Sequence, residues 1–240
     1  MTTTRICLWS SPRNVSTAFM YSWAQRPDTV VVDEPLYGYY LHKTGASHPG
    51  RADIIQNMDI DAQRVIADMC RHDYPKPVVF FKHMTHHTVD IDLTFMQSLH
   101  NVFFIRNPLL IINSYSKVIE MPTMADIGME MQWQFYQYAR DKGYKTIVLD
   151  SGELLRNPEK VLIALCSELN IPYYAAMLRW QPGARPEDGL WAKYWYANVH
   201  QSSGFEKPPD NLPVLPDELL PLYEAAKPFY EQLYQYSIKA

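Results

Sequence analysis

The chain has 240 residues, 47% of them hydrophobic and 20% charged, with a formal net charge of −4. That length suits one sizeable α/β domain, and the balance excludes a disordered or fibrous chain. The acidic net charge argues against a nucleic-acid partner, so any basic site must be local, gathered from scattered arginines and lysines. Three widely spaced cysteines, Cys7, Cys70 and Cys166, predict neither a disulfide framework nor a zinc cluster and fit a reducing compartment. With no membrane-length apolar run and no signal-peptide pattern near the N-terminus, the expectation is a cytoplasmic protein without a membrane partner.

In chain order, RICLW at 5–9 reads as a strand, and Ser16–Arg26 has helical spacing that stops before Pro27. TVVV at 29–32 reads as a buried strand, and Asp53–Arg71 as helix. VVFF at 78–81 and NVFFI at 101–105 are further strands. Helices are expected over Pro108–Ile119, Ile127–Lys142 and Pro158–Leu169, with a strand at 146–149. Five apolar strands separated by helices predict a single α/β domain with a mostly parallel sheet flanked by helices on both faces. The core is expected over about 1–172. The tail from 173 to 240, rich in proline, tyrosine and tryptophan, is expected to pack over the sheet as a helical lid.

In WSSPRNVSTAF, residues 9–19, the first strand runs straight into a helix. Such a turn aims the helix's free N–H groups at the carboxyl edge of the sheet, which makes an anion site. Ser10, Ser11, Ser16 and Thr17 add hydroxyls, and Arg13 adds a fixed charge with a planar fork. The loop lacks the glycines and lysine of a nucleotide-hydrolysing P-loop. A plainer account makes Ser16 a helix cap and leaves Arg13 in solvent. The logic recurs in FIRNPLLIINSYSK at 104–117, where a strand ends at Arg106 and Ser114 lies seven residues after Asn107, about two turns along the helix. Arg106 and Ser114 are thus placed to converge on one phosphate, unless the serine is satisfied by its own backbone.

Together the two motifs resemble those of sulfotransferases that use 3′-phosphoadenosine 5′-phosphosulfate (PAPS). PRNVSTAF stands where that family holds the 5′-phosphosulfate, and RNPLLIINSYSK where it holds the 3′-phosphate. SGELLRNPEKVLIALCSELNIP and WAKYWYANVHQSSGF are similar to later family segments, so the resemblance covers about Arg5 to Phe205. The lysine and glycine of the eukaryotic cytosolic loop are replaced by Arg13 and Asn14-Val15, and a C-terminal Arg-Lys-Gly signature is absent, as in the bacterial branch.

The resemblance implies a P-loop NTPase-like three-layer fold and in-line transfer of a sulfuryl group from PAPS to a hydroxyl or amine of a small organic acceptor. 3′,5′-ADP (PAP) would be released, and no metal would be needed. Ser11, Pro12, Arg13, Asn14, Val15, Ser16, Thr17, Arg106 and Ser114 would bind the cosubstrate, with Lys193 as a further phosphate contact.

Glu34, in VVVDEPLY at the end of the second strand, is the expected general base, with Asp33 facing the other way. FFKHMTHH at 80–87 ends the third strand; it offers Lys82 for the leaving phosphate and His83 or His86 as rival bases, and leaves His87 in a surface loop. Tyr37, Tyr39, Tyr40 and Met84 are expected to wall the acceptor pocket, and Trp191, Tyr194, Trp195 and Tyr196 to serve as pocket or core. A non-catalytic nucleotide-binding regulator and a small-molecule kinase are the competing functions, and the acceptor and oligomeric state are left open.

Overall fold

The computed structural model describes residues 3–119, 121–208 and 211–240. Six strands form one parallel sheet: β1 (Thr4–Ser10), β2 (Thr29–Asp33), β3 (Val78–Met84), β4 (His100–Ile105), β5 (Thr146–Asp150) and β6 (Ser237–Ile238). Their order is β2-β3-β1-β4-β5-β6. β1 is therefore central, paired in parallel with β3 and β4. The chain first moves to one side of β1 and later to the other, which makes the end of β1 the switch point where such sheets bind ligands.

Alternation along the strands builds two cores. Ile6, Leu8 and Phe80 face one layer, closed by α1 (Ser16–Ala24) and residues further along the chain. Cys7, Trp9, Val79 and Phe81 face the other. Between β2 and β3 run α2 (Tyr37–Thr44), α3 (Arg51–Asn57) and α4 (Ala62–Arg71). The single helix expected over 53–71 is thus two, because Met58 leaves α3 in extended backbone and the Asp61 carboxylate caps α4, accepting from the Gln63 and Arg64 N–H groups.

After β4 come α5 (Pro108–Tyr115), α6 (Met124–Ile127) and α7 (Met129–Asp141). α7 is the helix expected over 127–142, and Gly128, with φ 65°, separates it from α6, a short turn the sequence reading did not include. Beyond β5 follow α8 (Ser151–Arg156), α9 (Pro158–Glu168), α10 (Ala192–Trp195), α11 (Ala197–His200) and α12 (Leu220–Tyr234). The tail does not act as one piece. Residues 191–208 border the cleft described below, whereas α12 packs on α5 and α7, and β6 adds a sixth strand beside β5. Two residues are too short a run for sequence periodicity to register.

Asn101, wholly buried at the start of β4, donates to the carbonyls of Met96, Leu99 and Lys145 and accepts from the Trp9 indole N–H at 3.0 Å. Replacing it with leucine would strand that indole N–H and leave those carbonyls short of a donor. Asn101→Leu is expected to cost about 2–4 kcal/mol, seen as a lower urea midpoint at unchanged m-value.

Candidate active site

The carboxyl ends of β1 to β4 open into a cleft of roughly 740 Å³. One wall is the loop after β1. Its chain turns at Arg13, whose φ of 58° lies in the left-handed region. Asn14 secures the turn by donating from Nδ2 to the Phe104 carbonyl at 2.7 Å. No side chain caps α1; the Ser16 N–H is taken by the Asn14 carbonyl, which leaves the Thr17 and Ala18 N–H groups available at the loop. Ser16 is the first helical residue rather than a cap.

The second motif meets the first here. Asn107 caps α5 by accepting from the Leu109 N–H at 3.0 Å, with Pro108 in the first turn. Two turns on, the Ser114 hydroxyl accepts from Arg13 Nε at 3.0 Å, and Arg106 donates to the Arg13 carbonyl. Among the described residues no carboxylate lies within ion-pair distance of Arg13 or Arg106. Burial, followed by the neighbouring Arg13 charge, pushes the Arg106 pKa below the usual arginine value. Two adjacent cations held by neutral partners call for an anion.

The opposite wall carries a buried ionic cluster. Lys82, wholly buried, lies 2.8 Å from Asp33 Oδ1 and 2.8 Å from Glu34 Oε1. Asp33 therefore does not diverge from Glu34. Strand geometry ends at Asp33, and Glu34, at φ 42°, turns its side chain back so that both carboxylates reach the ammonium. The turn is held by the Glu34 N–H donating to the Lys82 carbonyl and the Tyr37 N–H donating to the Glu34 carbonyl.

Burial pushes the Glu34 pKa up; Lys82 opposes the rise and Asp33 adds to it, leaving it at about 7. Burial also disfavours the Lys82 ammonium, but the Asp33 and Glu34 charges outweigh it and hold its pKa well above the usual lysine value. Lys82 also comes within 3.4 Å of Thr17 Oγ1, linking this cluster to the first turn of α1.

The histidines divide by strand alternation. His83 points away from Lys82 to the other face, stacked on Trp9 at 5.3 Å, wholly buried and not on the cleft wall. Burial, with help from the Lys82 charge, lowers its pKa to about 3. His86 lines the cleft, and burial lowers its pKa to about 4. His87 is not a surface residue. It is buried between the rings of Tyr37 and Tyr40, at 4.6 and 4.7 Å, with Nδ1 3.8 Å from Glu34 Oε2.

Pro12 to Thr17, Glu34, Lys82, His86, Arg106 and Ser114 all border the cleft. Ser11 is buried behind it, with no protein partner for its hydroxyl among the described residues. Lys193 lies elsewhere, exposed, with Nζ 3.6 Å from Asp53 Oδ2. Tyr37, Tyr40 and Met84 line the cleft, but Tyr39 turns away and donates to the Val89 carbonyl. Trp191 and Tyr196 are buried beside Leu41 and Ile54, while Tyr194 and Trp195 are part-exposed. Sequence reasoning did not foresee the polar role of Tyr196, whose hydroxyl meets Lys82 Nζ at 2.6 Å across 114 residues of chain.

A parallel α/β sheet here presents two strand–helix turns with adjacent arginines opposite a buried carboxylate–lysine cluster. The sulfotransferase domain family matches residues 4–236, and the chain belongs to that family. It is 37% identical over 226 residues to branched-chain-amino-acid aminotransferase-like protein 1 of Arabidopsis thaliana, covering 94% of this chain. It is likewise 37% identical over 223 residues to the like-named protein 2. The chain spans 40% of the length of each of these relatives.

Among solved structures, the sulfotransferase domain from the Synechococcus PCC 7002 olefin synthase superposes with a TM-score of 0.57 at 17% identity, covering 94% of this chain and 95% of that one. Mouse sulfotransferase SULT7A1 complexed with PAP gives 0.52 at 14% identity, covering 97% and 83%. These likenesses establish the shared sulfotransferase fold. Among the described residues, no helix is long and apolar enough to cross a membrane.

Proposed function

We propose that the domain transfers a sulfuryl group from PAPS to a hydroxyl or amine of a small organic acceptor. The observation that carries this reading is the joint made by Arg13, Arg106 and Ser114 beside the uncapped start of α1. In this reading Arg13 and the Ser16–Thr17 turn hold the 5′-phosphosulfate, and Arg106 with Ser114 holds the 3′-phosphate. Lys82, near Thr17, faces the leaving phosphate oxygen, where negative charge grows as the S–O bond breaks.

Glu34 takes the acceptor proton. A pKa of about 7 makes it a far better base at neutral pH than His86 at about 4, a gap of roughly three units. Tyr37, Tyr40, Met84 and the neutral His86 wall the acceptor side, which suits an uncharged aromatic or apolar body and disfavours an anionic one. The PAP carried by one structural relative agrees with the donor assignment.

Calorimetric titration with PAP, in EDTA and again with magnesium, is the test. Binding of equal strength in both supports the reading, and no binding in either overturns it. With an active acceptor, kcat/KM should rise with pH through an apparent pKa near 7. Glu34 must lose its proton to act as base, so activity falls on the acid side. A flat profile between pH 6 and 8 would count against Glu34.

A further inference from the structure

The Tyr196 hydroxyl uses its full hydrogen-bonding capacity. It donates to Asp33 Oδ2 at 2.7 Å and accepts from Lys82 Nζ at 2.6 Å and Trp191 Nε1 at 3.0 Å. A phenol has one proton and two lone pairs, so its orientation is fixed by these three contacts. Asp33 gains as much from the arrangement. Its Oδ1 faces Lys82, and its Oδ2 accepts from Tyr196 and from the Gly189 N–H at 3.1 Å. Glu34, by contrast, has Lys82 at 2.8 Å and His87 only at 3.8 Å.

The two carboxylates that share one ammonium are therefore unequal. Three donors reach Asp33, and one reaches Glu34 within 3 Å. The segment that supplies two of the Asp33 donors is clamped in place. The Trp191 ring lies against Gly189 so closely that a Cβ there would sit 2.2 Å from it.

We propose that Tyr196 is a positioning residue that satisfies Asp33 and so limits its hold on Lys82, leaving a share of the ammonium to Glu34, the carboxylate of the cluster that exchanges a proton with the cleft. This deepens the reading of Glu34 as base and rests on it. The charged and titratable groups around Glu34 are Asp33 on β2, Lys82 on β3, His87 in the turn after β3, Tyr37 on α2 and Tyr196 after α10. His87 is kept neutral by burial first, then by His86, His83 and Lys82. Burial and then the Glu34 charge raise the Tyr37 phenol, and burial and then Asp33 raise Tyr196, so neither ionises near neutrality. Beyond burial, the division of Lys82 between Asp33 and Glu34 is what remains to tune the proton affinity of Glu34.

Without the Tyr196 hydroxyl, Asp33 draws more fully on Lys82 and Glu34 holds its proton more tightly. Removing the Asp33 charge does the reverse.

The experiment is a ¹³C NMR pH titration of protein labelled at the glutamate carboxyls, with the Glu34 resonance assigned by its loss in Glu34→Gln. Tyr196→Phe should raise the Glu34 midpoint by about 0.5 pH unit or more, and Asp33→Asn should lower it by a similar amount. In the Asp33→Asn background, Tyr196→Phe should add little further shift, because the charge that competes with Glu34 for Lys82 is gone. Unchanged midpoints, or shifts of the same sign in both single variants, would overturn the proposal.

Should Tyr196→Phe fail to fold, Trp191→Phe carries the same test. It removes the indole donor to the phenol oxygen and so weakens the phenol's own bond to Asp33, which makes a smaller upward shift the expected result; no shift would overturn the proposal. The titration needs neither donor nor acceptor. PAP calorimetry on the same samples therefore separates failure of this proposal from failure of the donor reading.

Discussion

Glu34→Gln is expected to lower kcat by about 10²–10⁴-fold while leaving PAP affinity within a few-fold of the parent. The amide keeps the shape of the side chain and its place at the cleft but cannot take a proton. Lys82 keeps Asp33 as a partner at 2.8 Å, so the ammonium facing the donor stays charged and in place. Stability should hold or improve at neutral pH. The folded-state pKa of Glu34 lies at about 7, above its ordinary 4.5, so deprotonating it opposes folding as the pH rises through that window. The variant should therefore lose the decline in stability expected of the parent between pH 4.5 and 7.

Transfer of radiolabelled sulfate from PAPS to an acceptor, followed at saturating donor, gives the rate, and urea unfolding at pH 5 and pH 7 gives the stability. Retention of full activity would move the base to His86, the rival base on that wall.

The second large effect is on the donor. Arg13→Ala and Arg106→Ala should each weaken PAP about 10–100-fold, the loss expected when a charge-assisted contact to phosphate is removed. Arg106 also donates to the Arg13 carbonyl, so each residue supports the other's placement. Their combined effect should consequently fall short of the product of the single effects. Calorimetry in EDTA measures all three variants. An unaltered affinity in Arg106→Ala would place the 3′-phosphate away from Ser114.

The parts of this site that could be read from sequence share one property: their partners are fixed by local geometry. A strand feeding a helix at 9–19 and again at 104–117 specifies which edge of the sheet Arg13, Arg106 and Ser114 occupy, and they do meet there. Lys82 follows the same logic and comes near the first turn of α1, whereas His83, expected as a rival base, is turned by alternation along β3 away from the cleft and onto Trp9.

Alternation failed for Asp33 and Glu34 because it holds only while the strand lasts. A left-handed residue has no signature when it is a glutamate rather than a glycine. Tyr196 was illegible for a different reason. Its partners Asp33 and Lys82 lie 163 and 114 residues away, and no periodic pattern carries information over that span. His87 looked like a loop residue because the turn holding it is short, and its burial comes from Tyr37 and Tyr40 on a separate helix. Lys193 was misplaced because a basic residue in an aromatic segment says nothing about which side of a four-residue helix it occupies.

Arg13 and Glu34 both sit in left-handed backbone, one in each wall of the cleft. Such a conformation costs a side-chain-bearing residue about 1–2 kcal/mol, so the surrounding fold carries that cost in order to aim the two groups. Improving heat tolerance by screening for stability alone would thus erode the very positions on which turnover depends. Glycine or asparagine at either would relax the chain and delete the chemistry. A safer route holds these two codons constant and seeks gains in the helical layers far from the cleft.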